Sequence, residues 1–401
     1  MDRSGTTGTV STPSLLMVAG EASGDQHGAT LLQALRAHHP HLQVYGLGGE
    51  QMRAAGAETL YDISALNVVG IVEMLAKIPQ GLCIAHQLRR EAQRRGTRVA
   101  VLIDTPGFNL PFARQLKRAG LHVVYYVSPQ IWAWRQGRVK KIARRVDKML
   151  VLFPFEVPFY TAAGIDAEYV GHPLIDRLRQ VPPPEQAAAA CGLDTRHPIV
   201  AVLPGSRHQE ICRLLPPMLE AFRQIKHRLP HVQGLLPVAP TVPLAEIQRI
   251  VQRFALEITV IQGQSDKALG AAAFALVASG TATLEAGFLG TPMVVVYKVH
   301  PLTAFLARHL IRVPWIGLVN IVAGRQLVPE LVQQQVQPQA MAAYALQCLE
   351  HPEEAQRIRS TLGILRQVLG QGGSAQRAAA SISHFLHLDD PSLATPRSVV
   401  E

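Results

Sequence analysis

The chain has 401 residues, of which 48% are hydrophobic and 17% charged. This composition excludes a disordered or fibrous protein, and the length favours two domains over a single core. The formal charge of +10 indicates anionic partners, namely nucleic acid, anionic lipid or a phosphorylated substrate.

The cysteines and the lack of targeting signals favour a cytosolic protein. No apolar run reaches the roughly 18 residues that cross a bilayer, and we expect no signal peptide. Residues 1–13, rich in serine, threonine and glycine, are predicted to form a disordered arm. The four cysteines are far apart, lack metal-binding spacing and are typical of reduced thiols.

Residues 14–176 alternate short apolar segments with helical segments, which predicts a parallel β-sheet covered by helices on both faces. The predicted strands of this domain are residues 15–19, 44–49, 99–103, 123–127, 149–153 and 168–170. A linker at 177–198 then interrupts the pattern, because its three consecutive prolines cannot lie inside a helix or a central strand.

The alternating pattern restarts and defines a second domain, residues 199–350. Its predicted strands are residues 199–203, 232–236, 258–261, 274–278 and 293–297. Helices at 351–388 are predicted to pack back on the N-terminal domain, and residues 389–401 to form a loose tail. The predicted fold is therefore α/β, with two doubly wound Rossmann-like domains facing a cleft and helices at the C-terminus.

In such sheets ligands bind at the carboxyl ends of strands, and one polar cluster follows the predicted strand at 274–278. Ser279, Gly280 and Thr281 turn the chain into a helix, whose first N–H groups and dipole favour a bound phosphate. Glu285, one turn later, is placed to accept from sugar hydroxyls. The alternative is an ordinary capped turn between strand and helix.

A second polar loop, Gly205, Ser206 and Arg207, follows the predicted strand at 199–203 and leads into a helix. Its glycine and serine can present backbone donors. Its arginine can donate two hydrogen bonds to a diphosphate and neutralise the negative charge of that group as it departs. The alternative is a surface arginine on a loop.

Acidic residues follow two predicted strands of the N-terminal half. One loop contains Glu21, Ser23, Gly24 and Asp25, and its two carboxylates are suited to accept from neutral sugar hydroxyls. The alternative is that this loop only caps the following helix. Asp104 is a candidate general base, since partial burial at a strand end would raise its pKa. The alternative for Asp104 is an Asx-turn before a proline.

Two segments are candidates for contact with lipid. The stretch 68–75 is apolar without a clear helix or strand period, which indicates either core or an exposed lip for acyl chains or a bilayer. Its apolar residues are Val68, Val69, Ile71, Val72, Met74 and Leu75. The segment 131–148 is basic, with Arg138, Lys141 and Arg145 on one predicted helical face. Nucleic acid, anionic lipid and plain solvent all suit such a face, although no nucleic-acid motif is present.

Five motifs occur in order at residues 20–25, 128–135, 171–174, 203–207 and 279–285. They are Gly-Glu-Ala-Ser-Gly-Asp, Ser-Pro-Gln-Ile-Trp-Ala-Trp-Arg, Gly-His-Pro-Leu, Leu-Pro-Gly-Ser-Arg and Ser-Gly-Thr-Ala-Thr-Leu-Glu. Each motif alone is weak. The ordered set closely resembles the lipid-A-disaccharide synthase family, over about residues 15–386.

The resemblance implies a fold of the glycosyltransferase-B (GT-B) type and an inverting, metal-independent hexosyl transfer without a cofactor. The implied donor is UDP-2,3-diacylglucosamine and the implied acceptor is 2,3-diacylglucosamine 1-phosphate. The implied products are UDP and the β-1,6-linked disaccharide of lipid A. Residues 14–176 become the acceptor and membrane-side domain, and residues 199–350 the UDP-sugar-binding domain. Asn320 matches a functional asparagine of the family, which we place among the substrate-binding residues.

Residues and resemblance together predict a cytoplasmic enzyme, peripherally associated with the anionic inner-membrane surface, that binds no nucleic acid. The sequence leaves a homodimer open. Arg207 and the helix start at Ser279 would stabilise the departing diphosphate without a metal, and Asp104 would activate the acceptor hydroxyl. Three alternatives stay open: another GT-B sugar-nucleotide enzyme such as a 2-epimerase or a peptidoglycan glycosyltransferase, a non-catalytic lipid or UDP-sugar-binding module, and a basic nucleic-acid-binding protein.

Overall fold

The structure, a computed structural model, describes residues 13–66, 71–134, 136–301, 304 and 313–387. The chain divides into two compact units. The first unit comprises the chain up to Pro173 together with the segment from Gly373 onward, and the second unit comprises Leu174–Gly372.

Among the described residues of the first unit, seven parallel strands form one sheet, in the order β3-β2-β1-β4-β5-β6-β7. They are β1 (Ser14–Ala19), β2 (Gln43–Gly48), β3 (Glu58–Asp62), β4 (Val99–Ile103), β5 (His122–Tyr126), β6 (Lys148–Val151) and β7 (Asp166–Tyr169). Every residue of β4 is buried, as expected for an apolar central strand of a parallel sheet. The strand order reverses between β1 and β4, and ligands of such sheets bind at this switch point.

Seven helices accompany these strands before the chain leaves the first unit, counting only the described residues. They are α1 (Ala22–His38), α2 (Glu50–Ala54), α3 (Ile71–Arg94), α4 (Pro106–Arg118), α5 (Ile131–Trp134), α6 (Val139–Ala143) and α7 (Glu156–Thr161). A buried cluster that includes Leu16, Leu102, Tyr125 and Leu116 fills the space between sheet and helices.

In the part of the second unit that the structure describes, six parallel strands form one sheet, in the order β10-β9-β8-β11-β12-β13. They are β8 (Ile199–Leu203), β9 (Gln233–Val238), β10 (Ile258–Gln262), β11 (Phe274–Ala278), β12 (Met293–Tyr297) and β13 (Glu330–Val332). The strand order reverses between β8 and β11, which are both entirely buried. The two strands end next to each other, so the loops that follow them are neighbours.

The described helices of the second unit surround this sheet. They are α8 (Leu174–Leu178), α9 (Pro184–Ala190), α10 (His208–Arg228), α11 (Leu244–Arg253), α12 (Ser265–Ala271), α13 (Thr281–Leu289), α14 (Leu318–Ala323), α15 (Pro338–Glu350), α16 (Pro352–Leu362) and α17 (Ile364–Leu369). The long amphipathic helix α10 buries one apolar face that includes Leu214, Met218, Phe222 and Ile225.

The last helix, α18 (Ser374–His387), belongs to the first unit and packs against α1. Arg377 Nε donates to the carbonyl oxygen of Val170 at 2.9 Å, and Ser381 Oγ donates to Glu168 at 2.9 Å. Gly171 has φ +86°, and a Cβ there would overlap the Arg377 guanidinium. The glycine of the Gly-His-Pro-Leu motif is therefore explained by the close approach of α18.

Three segments differ from the sequence-based prediction. The segment predicted as a linker contains α9, whose Ala187 and Ala188 are buried in the second unit, because proline starts a helix well even though it cannot continue one. Of the helices predicted to pack on the N-terminal domain, α16 and α17 lie in the second unit and α18 lies in the first.

The predicted basic helical face is not formed by one helix. The chain makes α5, a 3₁₀ turn at Gln136–Arg138 and the five-residue α6, so the spacing of Arg138, Lys141 and Arg145 does not follow one helical surface. In the part of the chain that the structure describes, no helix combines the length and the apolar character needed to span a membrane.

Candidate functional site

Four strands of the second unit, β8 to β11, end at one cavity of about 340 Å³. Seven residues singled out from the sequence lie together in its wall: Gly205, Ser206, Arg207, Ser279, Gly280, Thr281 and Glu285. The two polar loops are far apart in sequence and meet because β8 and β11 are neighbours in the sheet. A ligand in this cavity therefore contacts both loops.

The start of α13 carries no side-chain cap among the described residues. Neither Ser279 nor Thr281 is the N-cap: Gly280 is, and the Ser279 hydroxyl instead donates to the carbonyl oxygen of Ile316 at 2.7 Å. Gly280 has an extended backbone (φ 161°), and a Cβ there would have no described atom within 4 Å. The first turn thus offers N–H groups and a positive dipole end to an anion, with open space beside the glycine.

Glu285 lies one turn into α13 and is 6% exposed. Its carboxylate accepts a hydrogen bond from Arg177 Nη2 at 2.5 Å and one from Ser265 Oγ at 3.2 Å. A carboxylate has about four acceptor positions, so capacity for a sugar hydroxyl remains. Arg177, on α8, is a member of this site that the sequence did not reveal, because it precedes the proline-rich segment and meets α13 only in the folded unit.

The loop after β8 is shaped by Glu210. Gly205 has φ +109°, and a Cβ there would overlap the Glu210 carboxylate. That carboxylate accepts from the N–H groups of Ser206 and Arg207 at 3.2 and 3.4 Å and from Arg207 Nη1 at 2.8 Å. The Arg207 side chain is 81% exposed, so its guanidinium is tethered at the cavity wall and retains donors for a ligand.

Asn320 is fully buried and is not among the residues that line this cavity, and its placement among the substrate-binding residues stays a prediction. Its Oδ1 accepts from the N–H groups of Leu327 and Val328 at 2.7 and 3.1 Å. Its Nδ2 donates to the carbonyl oxygen of Val328 at 3.0 Å and to Glu330 at 2.8 Å. These bonds use both donors and both acceptor positions of the side-chain amide, so Asn320 acts on a substrate only through other residues.

Glu330 links Asn320 to the start of α13. Its carboxylate accepts from the N–H groups of Ile316 and Gly317, both at 2.9 Å. The carbonyl of Ile316 in turn accepts from Ser279. The buried asparagine and the acidic residue after it therefore position the segment that anchors the anion-binding turn.

The carboxyl ends of β4 and β5 in the first unit hold three non-glycine residues with positive φ: Asp104 (+48°), Thr105 (+42°) and Val127 (+65°). Such values are uncommon, and for a β-branched residue such as valine they are outliers. Asn109 Nδ2 holds the turn by donating to the carbonyl oxygens of Ile103 and Asp104 at 3.0 and 2.8 Å. Strained backbone of this kind clusters at functional sites.

The side chain of Asp104 is largely buried, and burial together with the nearby Glu21 raises its pKa to about 6. The carboxylate is thus ionised at neutral pH while more basic than an ordinary aspartate. Gly20 approaches the side chain of Thr105 so closely that a Cβ would lie 2.7 Å from it, which explains the first glycine of the family motif. Glu21 and Ser23 are exposed beside this edge, at the start of α1.

Asp25 bonds to the backbone of its own unit, and its role as a sugar ligand stays a prediction. It is 3% exposed, and its carboxylate accepts from the N–H groups of Gly49, Gln51 and Met52 at 2.6, 3.0 and 3.1 Å. It therefore caps the start of α2 from outside that helix. Gly24 lies in the first turn of α1 and is buried against Ala19 and Ile103, so both residues of this pair are buried.

The tryptophan motif at 128–135 surrounds a buried carboxyl group that the sequence did not reveal. Glu156 Oε1 accepts from Ser128 Oγ at 2.5 Å and from Trp132 Nε1 at 2.9 Å, and its Oε2 accepts from the N–H of Phe153 at 3.0 Å. Burial raises the pKa of Glu156 to about 7. The serine and the first tryptophan of the motif thus have a structural role beside β5 and β6.

Of the apolar residues predicted as a lipid contact, Val68 and Val69 lie outside the described residues. Ile71, Val72, Met74 and Leu75 fall in α3, and their side chains are likewise outside the description. Farther along α3, Ile78 and Leu82 are 50% and 57% exposed, which is unusual for large apolar side chains.

Comparison with known proteins gives a consistent result over nearly the whole chain. A family model described as Lipid-A-disaccharide synthetase matches residues 15–382. A lipid-A-disaccharide synthase of Geobacter sulfurreducens is 43% identical over 372 residues, which cover 93% of this chain and 97% of that protein. A protein of the same name from Myxococcus xanthus is 43% identical over 377 residues, covering 93% and 98%.

Solved structures resemble the chain in fold. A putative UDP-N-acetylglucosamine 2-epimerase from Listeria monocytogenes has a TM-score of 0.65 at 14% identity and covers 93% of this chain and 96% of that one. Anabaena HepE in complex with UDP and glucose has a TM-score of 0.55 at 13% identity and covers 93% and 100%. At these identities the likeness shows the fold alone, and that fold is GT-B, as predicted.

Proposed function

The chain belongs to the lipid-A-disaccharide synthase family, and we propose that its second unit binds the UDP-sugar donor while its first unit binds and activates the acceptor. It is a glycosyltransferase that makes the disaccharide of lipid A. The proposed donor is UDP-2,3-diacylglucosamine and the proposed acceptor is 2,3-diacylglucosamine 1-phosphate. The alternatives of an epimerase, a peptidoglycan glycosyltransferase, a binding module or a nucleic-acid-binding protein are not favoured, since the family match spans residues 15–382.

The uncapped start of α13 carries the donor-site proposal. Its first N–H groups bind the diphosphate of the donor, and the open space beside Gly280 admits a phosphate oxygen. Glu285 accepts from the ribose hydroxyls. Arg207 donates to the diphosphate and stabilises the negative charge that grows on this group as UDP departs. Stabilising that charge is the main electrostatic demand of the reaction.

Asp104 is the proposed general base. Its carboxylate takes the proton of the acceptor 6-hydroxyl as that oxygen attacks the anomeric carbon of the donor from the face opposite UDP. The bond from the anomeric carbon to the diphosphate oxygen breaks, UDP departs and the configuration inverts. A base with a pKa of about 6 is ionised at neutral pH and still accepts a proton readily, which supports this role.

The experiment that tests the donor site is Gly280→Ala, with release of UDP measured with and without the diacylglucosamine 1-phosphate acceptor. Because a Cβ at this position meets no described atom, the fold should be unchanged while the new methyl group occupies the space proposed for phosphate. We expect a higher KM for the UDP-sugar and weaker inhibition by UDP. Gly137→Ala, also at an unobstructed glycine, is the matched control. An unaltered KM in Gly280→Ala would refute the donor site.

The proposed transfer needs neither a metal nor a cofactor, since N–H groups and a guanidinium supply the positive charge. We expect full activity in excess chelator. If chelator abolished the activity and added Mg²⁺ restored it, the transfer would require a metal and the proposal would be wrong on this point.

The proposal also places the protein at the cytoplasmic surface of the inner membrane, where both lipid substrates would lie. Exposed cations support it, namely Arg138, Lys140, Lys141 and Arg144, together with the exposed apolar side chains of α3. A homodimer stays a prediction of the sequence.

A further inference from the structure

Three side chains with metal-binding atoms converge outside the donor cavity. His208 begins α10, Cys212 lies one turn later on the same face, and Glu246 lies in the first turn of α11. Their nitrogen, sulfur and oxygen atoms lie within 4.8 Å of one another. None of the three lines the donor cavity, so this cluster is separate from the site described above.

The distances within the cluster fit one ion. His208 Nε2 and Cys212 Sγ are 3.4 Å apart. A tetrahedral zinc ion, with bonds of about 2.0–2.1 Å to nitrogen and 2.3 Å to sulfur, separates two such ligands by roughly 3.5 Å. The nitrogen and sulfur atoms are therefore already at the separation that a bound ion requires.

The other ring nitrogen is also arranged as in a metal site. His208 Nδ1 lies 2.7 Å from Glu246 Oε1. A carboxylate that accepts from one imidazole nitrogen fixes the tautomer, so the other nitrogen presents its lone pair to a metal. Glu246 thus orients the ring.

We propose that His208 Nε2 and Cys212 Sγ bind a divalent transition-metal ion of the zinc class, with Glu246 as a positioning residue. A thiolate and an imidazole select such ions over Mg²⁺ and Ca²⁺, which prefer oxygen ligands. Binding displaces the thiol proton into solvent. Since His208 and Cys212 are exposed, water fills the remaining coordination positions.

The ion would bind to the start of α10, and the contact between His208 and Glu246 would link it to the first turn of α11. The loop that carries Gly205 and Arg207 runs directly into the start of α10, so occupancy stabilises the second unit next to the donor loop. The ion takes no part in the transfer, which relies on N–H groups and Arg207. Loss of the metal with chelator should therefore lower thermal stability and leave turnover intact.

The test uses the full chain without an affinity tag, reduced with a phosphine, and Co²⁺ as a spectroscopic probe. We expect a thiolate-to-cobalt charge-transfer band that Zn²⁺ abolishes by competition. The band should disappear in Cys212→Ser and persist in Cys83→Ser, whose cysteine is also exposed. Glu246→Gln should retain the band with metal affinity weakened roughly 10–100-fold, as for other residues that orient a ligand.

A second measurement needs no variant. Zn²⁺ should slow alkylation of Cys212 in the unaltered protein and leave alkylation of Cys83 unchanged, as measured by peptide mass spectrometry. A charge-transfer band that survives in Cys212→Ser, or equal alkylation of Cys212 with and without Zn²⁺, would overturn the proposal. Rapid alkylation of Cys212 at every zinc concentration would instead identify a reactive thiol beside a histidine.

Discussion

The strand-end sites of the two units differ in how their polar groups are held. In the second unit, Glu210, Glu285 and Glu330 are each paired with donors, and the loops that they organise include the unstrained, extended Gly280. In the first unit, the backbone at Asp104 is left-handed and the carboxyl has a pKa raised to about 6.

Unsatisfied atoms show the same difference. Within the described part of the chain, three side-chain atoms are buried without a hydrogen-bond partner: Arg36 Nε lies on α1, and Thr105 Oγ1 and Asn109 Oδ1 follow β4. The edge after β4 therefore combines left-handed non-glycine backbone with buried polar atoms, whereas the helix start at Gly280 is extended and open. This difference suits a division of labour in which one site reacts with a proton and the other binds a charge.

The largest effect that we expect is on turnover in Asp104→Asn. Asparagine tolerates the left-handed backbone, so the fold should be kept while the base is lost. General-base loss typically costs roughly 10²–10⁴ in rate, with little change in KM for the donor. Steady-state kinetics against both substrates measure this, and Asp166→Asn, at an exposed aspartate of the same unit, is the control. A collapse of donor affinity instead would assign Asp104 to binding.

Arg207→Ala should come next. Loss of one charge-assisted partner of the diphosphate should cost on the order of 2–4 kcal/mol in the transition state. It also leaves Glu210 without its cation beside an anionic ligand. Arg196→Ala removes an equally exposed arginine, paired with Asp194, and should change neither kcat nor KM. Near-normal turnover in Arg207→Ala would remove this residue from the mechanism.

Glu330→Gln tests whether the second site depends on positioning. The amide would turn a donor toward an N–H group of Ile316 or Gly317, so we expect a loss of about 1.5–3 kcal/mol in the free energy of unfolding. Because Ile316 anchors Ser279, KM for the UDP-sugar should rise more than kcat falls. Glu257→Gln, at a glutamate on the surface, controls for the loss of charge. A drop in stability with unchanged KM would leave Glu330 with a purely structural role.

The pH dependence of stability tests the raised pKa of Asp104 in the first unit. The Asp104 carboxyl has a pKa of about 6 in the folded chain, whereas an ordinary aspartate has a pKa of 3.8, so the folded state binds more protons between these values. Stability contributed by this group is therefore lost as pH rises from about 4 to 6. Asp104→Asn should raise the Tm at pH 7 and not at pH 4. A lower Tm at pH 7 would contradict the desolvation of this carboxyl.

Sequence reasoning worked where structure is local. The strand Phe274–Ala278 has the predicted bounds and the helix Thr281–Leu289 follows it as predicted, because an apolar run followed by glycine and threonine specifies both elements over a few residues. The roles of Asp25 and Asn320 could not be found in this way. Each is decided by backbone groups that only the folded chain brings within reach, and a polar residue in a motif gives no sign of whether it faces a ligand or the chain.

The metal cluster shows the same limit. The spacing of His208 and Cys212 on one helical face is visible in the sequence, but the spacing of the four cysteines among themselves does not reveal it. Glu246 comes from another helix, and its contact with His208 depends on how α10 and α11 pack.

The edge strands β3 and β13 were also missed, because they are short or half-exposed and lack a continuous apolar run.

The smallest expected effect concerns the membrane surface. Lys141 is exposed, and a cation near an anionic bilayer contributes about 1 kcal/mol, so Lys141→Gln should weaken binding to anionic vesicles roughly fivefold at low salt. Salt should erase this difference, because the Debye length at 0.1 M is about 10 Å. Lys226→Gln, whose lysine is paired with Glu257 in the second unit, should bind like the unaltered protein. The fraction of protein that stays bound to vesicles at high salt should fall in Leu82→Glu. Leu82 is 57% exposed, so its substitution leaves the core intact. If salt alone releases all of the protein, only the cations touch the membrane, and the apolar face of α3 has another role.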